Sequence, residues 1–126
     1  LFYTIKQFMH EVSLMTNVLE LVAQEMEKHK VAKLRSITVR YGVLSNIVAD
    51  SLAFAFEVLT KDSEFAGAKL NLVKDELALK CRLCSHSFIT DQKDYFFLTC
   101  PKCGEEGSFE IVKGEGIFLD RIEADE

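Results

Sequence analysis

The chain is predicted to be an α+β domain, two helices packed on a small β-sheet, with a metal-binding module inserted between strands. Three observations predict it. A helical stripe of apolar residues opens the chain, strand-period segments come in runs rather than in a strict strand–helix–strand alternation, and all four cysteines fall between Cys81 and Cys103.

From Glu11 to about Lys30, apolar Val12, Met15, Val18, Leu19, Val22 and Met26 recur every three or four residues, with Glu20, Gln24, Glu27 and Lys28 between them. That is the period of a helix with one face on a core. "LRSITVRYG" then alternates Ile37, Val39 and Tyr41 with Thr38 and Arg40, the period of a half-buried strand, closed by Gly42. Ser45 is the expected cap of a second helix from Asn46 to about Thr60, with Ile47, Leu52, Phe56 and Leu59 on one face. After a turn at Gly67, extended segments are expected near Lys69–Val73 and Glu76–Lys80. "FEIV" and "GIFLDRIE", separated by Gly114 and Gly116, are expected to form a final hairpin or strand pair.

At 126 residues the chain is one domain, or one domain with a small appendage. Its apolar runs are broken well short of the roughly 20 residues of a membrane span. No secretory signal pattern opens it, so a soluble, cytoplasmic protein is expected. The net charge is −5, and residues 104–126 carry eight acidic side chains against Lys113 and Arg121. That sign repels phosphate backbones and weighs against a dedicated nucleic-acid binder. A monomer and a homodimer both remain open.

Cys81 and Cys84, then Cys100 and Cys103, form a C-x2-C, fifteen-residue, C-x2-C pattern. Two such knuckles let four thiolates converge tetrahedrally on one Zn²⁺. The competing reading, two disulfides or redox thiols, suits an oxidising compartment better than the cytoplasm. Four sulfurs leave no open coordination position, so the zinc is expected to be structural and a hydrolytic zinc enzyme is excluded. Phe88, Tyr95, Phe97 and Leu98 are expected to cover the metal. His86 is a spare ligand or, more plainly, a surface histidine of the knuckle. No Ser-His-Asp set, P-loop or glycine-rich phosphate motif occurs, and no catalytic residue stands out. An enzyme is therefore not expected. A zinc-ribbon adaptor for nucleic acid or a transcription assembly is the alternative, but the ribbon carries only Arg82, Lys93 and Lys102 against Asp91 and Asp94.

"MHEVSLM" at a helix entry, "VRYGVLSNIVADSLAFAFEVL" in the middle, "CRLC" with "CPKC", and "SFEIVKGEGIFLDRIE" at the end together resemble the HypA/HybF family, nickel-incorporation accessory proteins of hydrogenase maturation. The resemblance runs from Met9 to about Glu123. It implies a non-enzymatic nickel metallochaperone with a nickel-binding α+β domain (9–75 plus 109–126) and a zinc-ribbon insertion (76–108). Residues 1–8 are then an N-terminal extension, whether tag, fusion or alternative start. It implies delivery of Ni²⁺ to the [NiFe]-hydrogenase large-subunit precursor with a partner GTPase, and in some members to urease maturation. The nickel motif falls on Met9, His10 and Glu11. The chemistry fits, since square-planar Ni²⁺ accepts an amine, backbone amides and an imidazole. Taken alone, His10 is a first-turn polar residue and Glu11 a complement to the helix dipole. Asp50, near the second helix start, is a weaker candidate for an outer carboxylate of that site, and His29 is expected to complement the end of the first helix.

Overall fold

The computed structural model describes residues 2–91, 95 and 98–126, with side chains from His10 onward. In chain order the elements are α1 (Phe2–Lys28), β1 (Lys33–Gly42), a 3-10 turn (Val43–Ser45), α2 (Ala49–Thr60), β2 (Lys69–Asp75), β3 (Leu77–Cys81), β4 (Ser87–Thr90), β5 (Phe109–Lys113) and β6 (Ile117–Asp125). They make two three-stranded sheets, ordered β2-β1-β6 and β4-β3-β5. The predicted α+β class, two helices with small sheets, is the one observed. The chain divides into two compact units, Leu1–Val39 with Ile47–Val73 and Leu119–Glu126, and Arg40–Asn46 with Lys74–Phe118. The expected ribbon, 76–108, lies within the second unit, which also takes β5 because β5 pairs with β3.

In the first unit α1 buries Glu11, Met15, Val18, Leu19, Val22 and Met26. These meet the helical period, and each apolar member contributes on the order of 1.5–3 kcal/mol of transfer free energy. The other buried positions among the described residues are Leu52, Ala55, Phe56 and Thr60 of α2, Leu34, Ile37 and Val39 of β1, and Phe65 after α2. Thr60 is tolerated there because its hydroxyl donates to the Phe56 carbonyl at 2.8 Å. The helix α1 ends in a left-handed Lys30 (φ 56), with the Val31 amide donating back to Met26 and the Lys30 amide to Glu27. That double bond pattern satisfies carbonyls the helix would otherwise strand.

Three expectations shift. The first helix starts at Phe2 rather than Glu11, since "LFYTIKQF" contains no glycine or proline to stop it. The second starts at Ala49 rather than Asn46. Ser45 instead closes the 3-10 turn, its hydroxyl donating to the Gly42 carbonyl at 2.6 Å, and the left-handed Asn46 (φ 59) redirects the chain. The last two strands are not a hairpin pair: β5 joins β3 and β6 joins β1, because Gly114 and Gly116, both at positive φ, send the chain from one sheet to the other.

In the second unit β3 is the central strand, antiparallel to β4 (Leu77↔Thr90 to Lys80↔Ser87) and to β5 (Cys81↔Phe109 to Ala78↔Lys113), with a register shift between Ala78 and Leu79. Its alternation buries Leu77, Leu79 and Cys81. Gly42 sits against the backbone of residues 114–116, its amide donating to the Gly116 carbonyl at 2.9 Å. A Cβ at Gly42 would land on the Gly114 carbonyl and the Glu115 amide. Buried Asp75 accepts from Arg40 Nε (3.0 Å) and Nη2 (2.6 Å), with Lys113 Nζ at 3.6 Å. The Arg40 hydrogen bonds outweigh burial and hold its carboxyl below the ordinary 3.8.

Two outcomes follow from this packing. Gly42→Ala should destabilise the fold by at least about 2 kcal/mol in urea unfolding, since backbone atoms rather than a flexible side chain meet the added carbon. Asp75→Asn should lower the melting temperature at pH 7. A carboxyl with a depressed folded pKa adds stability that is complete above its unfolded value and lost as pH falls through its folded one. The gap between parent and variant should therefore close as the pH is taken below 3.8.

Candidate metal centre

The two cysteine knuckles are built alike. In the first, the Cys81 amide donates to the His86 carbonyl and the Ser85 amide to the Cys81 carbonyl, both at 2.9 Å. In the second, the Cys100 amide donates to Glu105 (2.8 Å) and the Gly104 amide to Cys100 (3.0 Å). The fourth residue after each leading cysteine is left-handed, Ser85 at φ 65 and Gly104 at φ 80. Each turn thus folds back on its own strand and presents two sulfurs on one side.

The four Sγ atoms all lie within 4.8 Å of one another, with Cys81–Cys103 and Cys84–Cys100 at 3.6 Å. Thiolates at 2.3 Å around a tetrahedral ion are separated by about 3.8 Å, so this set fits a closed four-sulfur site. Cys81 and Cys100 are buried with Leu77, Leu79 and Phe109, and Phe88, Tyr95 and Leu98 pack on the cluster as the sequence suggested. Phe97 lies outside the described residues. Backbone amides stabilise negative sulfur here. The Cys103 and Lys102 amides bring Cys100 down to about 6, and the Cys84 and Leu83 amides lower Cys81. The Glu105 amide favours a Cys103 thiolate, but burial and its sulfur neighbours Cys81, Cys100 and Cys84 push it up to about 12. A divalent cation held among these sulfurs would compete with protons for them, and the amides that favour thiolate at Cys81 and Cys100 favour the cation as well.

His86 is outside this set. It is half-buried and stacks on Phe88, ring centroids 6.1 Å apart.

In the first unit, His10 is exposed on α1 and Glu11, the next residue, is fully buried. Both lie inside the helix rather than in its first turn, and the Met9 side chain falls outside the described residues. Glu11 Oε1 accepts from the Val48 amide at 3.4 Å, which joins this segment to the start of α2. Asp50 is exposed in the first turn of α2. His29, directly after the last residue of α1, is exposed, and its Nε2 lies 3.4 Å from Glu25 Oε2. The burial of Glu11 escaped the sequence reading, although its spacing of four and seven residues from Met15 and Val18 was the available signal. No helix among the described residues is long and apolar enough to cross a membrane.

The profile of a family described as "Hydrogenase/urease nickel incorporation, metallochaperone, hypA" matches residues 9–124. A hydrogenase maturation factor HypA from Solidesulfovibrio magneticus is 40% identical over 91% of this chain and 98% of its own. Its namesake from Lawsonia intracellularis is 39% identical over 93% and 100%. The solution structure of the Ni metallochaperone HypA from Helicobacter pylori superposes with a TM-score of 0.65 at 25% identity, covering 91% of this chain and 97% of that one. With the match starting at Met9, spanning both cysteine knuckles and ending two residues short of the last residue given, the chain belongs to the HypA family of hydrogenase and urease nickel-incorporation metallochaperones.

Proposed function

We propose that the protein carries Ni²⁺ as cargo, binds it through the His10 imidazole with the backbone of Met9 and Glu11, and helps insert it into the [NiFe]-hydrogenase large-subunit precursor. On this reading it acts in the cytoplasm with a nickel-handling GTPase, and urease maturation is a second route for the same cargo. The observation that carries the reading is a family profile named for nickel incorporation and spanning 9–124. His10 supports it as an exposed imidazole, placed where an ion can be both taken up and released. Cys81, Cys84, Cys100 and Cys103 would hold one structural Zn²⁺, whose charge neutralises the converged thiolates and so supplies folding free energy. They leave it no position for substrate.

Helical geometry sets a condition on the nickel site. Backbone amides inside a helix are committed to carbonyls four residues back, whereas the first four amides of a helix are free. With α1 running from Phe2, the amides of His10 and Glu11 are interior. Removing residues 1–8 returns them to the first turn and gives Met9 a free amine. Nickel titration should therefore find tighter binding after removal, with the yellow, diamagnetic absorption of square-planar Ni²⁺. His10→Ala should abolish nickel binding in both forms. If it binds as tightly as its parent with Met9 freed, the Met-His-Glu assignment fails.

The zinc assignment is read by metal analysis. Alanine at any one of the four cysteines should lose the zinc and unfold the ribbon while α1 and α2 remain helical. Equal zinc in Cys100→Ala and the parent would remove the four-sulfur site. Zinc should be retained at neutral pH and released on strong acidification, where protons outcompete the cation for the four thiolates.

A further inference from the structure

The buried stripe of α1 runs Glu11, Met15, Val18, Val22, Met26, so a carboxylate occupies a position the helical period reserves for an apolar side chain. A buried carboxylate needs partners to hold it. One is present: Oε1 accepts from the amide of Val48, while Oε2 has no partner among the described residues. Val48 is the N-cap of α2, and valine has no side-chain oxygen with which to cap. The leading end of α2, where unpaired amides and the helix dipole favour negative charge, is thus served by a side chain from another helix.

We propose that Glu11 is a positioning residue: it supplies the missing cap of α2 and so fastens the turn that bears His10, instead of giving its carboxylate to the metal. The capping half rests on geometry alone, and its consequence for nickel rests on the function proposed above. Direction argues for it as well. Neighbouring helix residues point about 100° apart and do not face each other, so the exposed His10 ring and the buried Glu11 carboxylate serve different sides of α1. For the carboxylate to reach an ion held by His10, it would have to leave Val48 and the core together.

Amide hydrogen exchange and nickel titration on the full chain test this. Glu11→Ala should speed exchange at Val48 about five- to tenfold, the range set by losing a helix cap. Glu11→Gln keeps an acceptor oxygen, so exchange at Val48 should stay within about twofold of the parent. Saturating Ni²⁺ should leave Val48 exchange in the parent unchanged. Glu11→Gln should retain the position of the nickel absorption band and, within about threefold, the affinity, whereas Glu11→Ala should bind more weakly with the band unmoved. The proposal is overturned if Ni²⁺ raises Val48 exchange to the Glu11→Ala rate or if Glu11→Gln moves the band, because the carboxylate is then a ligand. It is overturned equally if Glu11→Ala leaves Val48 exchange unaltered. Should Glu11→Ala fail to fold, the Glu11→Gln and nickel arms decide. Nickel binding that survives His10→Ala would sink the nickel motif but not the cap, so the two failures are distinguishable.

Discussion

Bringing four thiols to one point is the constraint on which the second unit depends. Cys81 and Cys100 are buried members of a five-residue cluster with Leu77, Leu79 and Phe109, so the metal-binding atoms are themselves part of the core. That cluster is small for a fold of its own. A cation at the centre of the sulfurs would convert four mutually repelling thiolates into a cross-link between segments nearly twenty residues apart in sequence. The backbone anticipates this charge. Both knuckles turn amides onto sulfur, and the left-handed residues Ser85 and Gly104 are what allow each loop to close so tightly.

The same constraint explains what sequence could reveal. Cysteine spacing is a local signal of a local geometry, and the four sulfurs do converge as the pattern required. The stripe Met15, Val18, Leu19, Val22 and Met26 was legible for the same reason, because helical period relates residues a turn apart. What failed was non-local. "FEIV" and "GIFLDRIE" look like partners because only Lys113, Gly114 and Glu115 separate them, yet strand pairing is decided by which apolar faces need covering. Phe109 belongs with Cys81 and Leu79, so β5 goes to β3. Ser45 was read as a cap from its type alone, but a hydroxyl bonds whichever backbone group is nearest, here the Gly42 carbonyl.

Glu11 illustrates a subtler limit. Sequence reasoning treats a carboxylate near a helix start as an answer to that helix's own dipole. In the folded chain it answers the dipole of α2, thirty-seven residues away, which lacks a capping side chain at Val48. Two local anomalies, a charge in an apolar stripe and a helix with no cap, resolve each other in space, and neither alone announces the pairing.

Separating resident metal from cargo is then a matter of ligand type. Soft thiolates hold zinc-like ions strongly, and four of them leave no route for exchange except unfolding or protonation. A carrier needs the opposite. An ion bound by imidazole and backbone nitrogen at an exposed segment keeps its outer side open to a recipient, and its release costs only local rearrangement. A thiolate within reach of His10 would defeat this, since it would compete for the ion and hold what should be passed on. The sequence respects that division: all four cysteines fall between Cys81 and Cys103, while the stretch around His10 has no thiol and offers nitrogen and a carboxylate that the fold has already engaged. On the function proposed above, engagement of Glu11 serves delivery as well as stability, because a site with one fewer oxyanion holds its cargo less firmly.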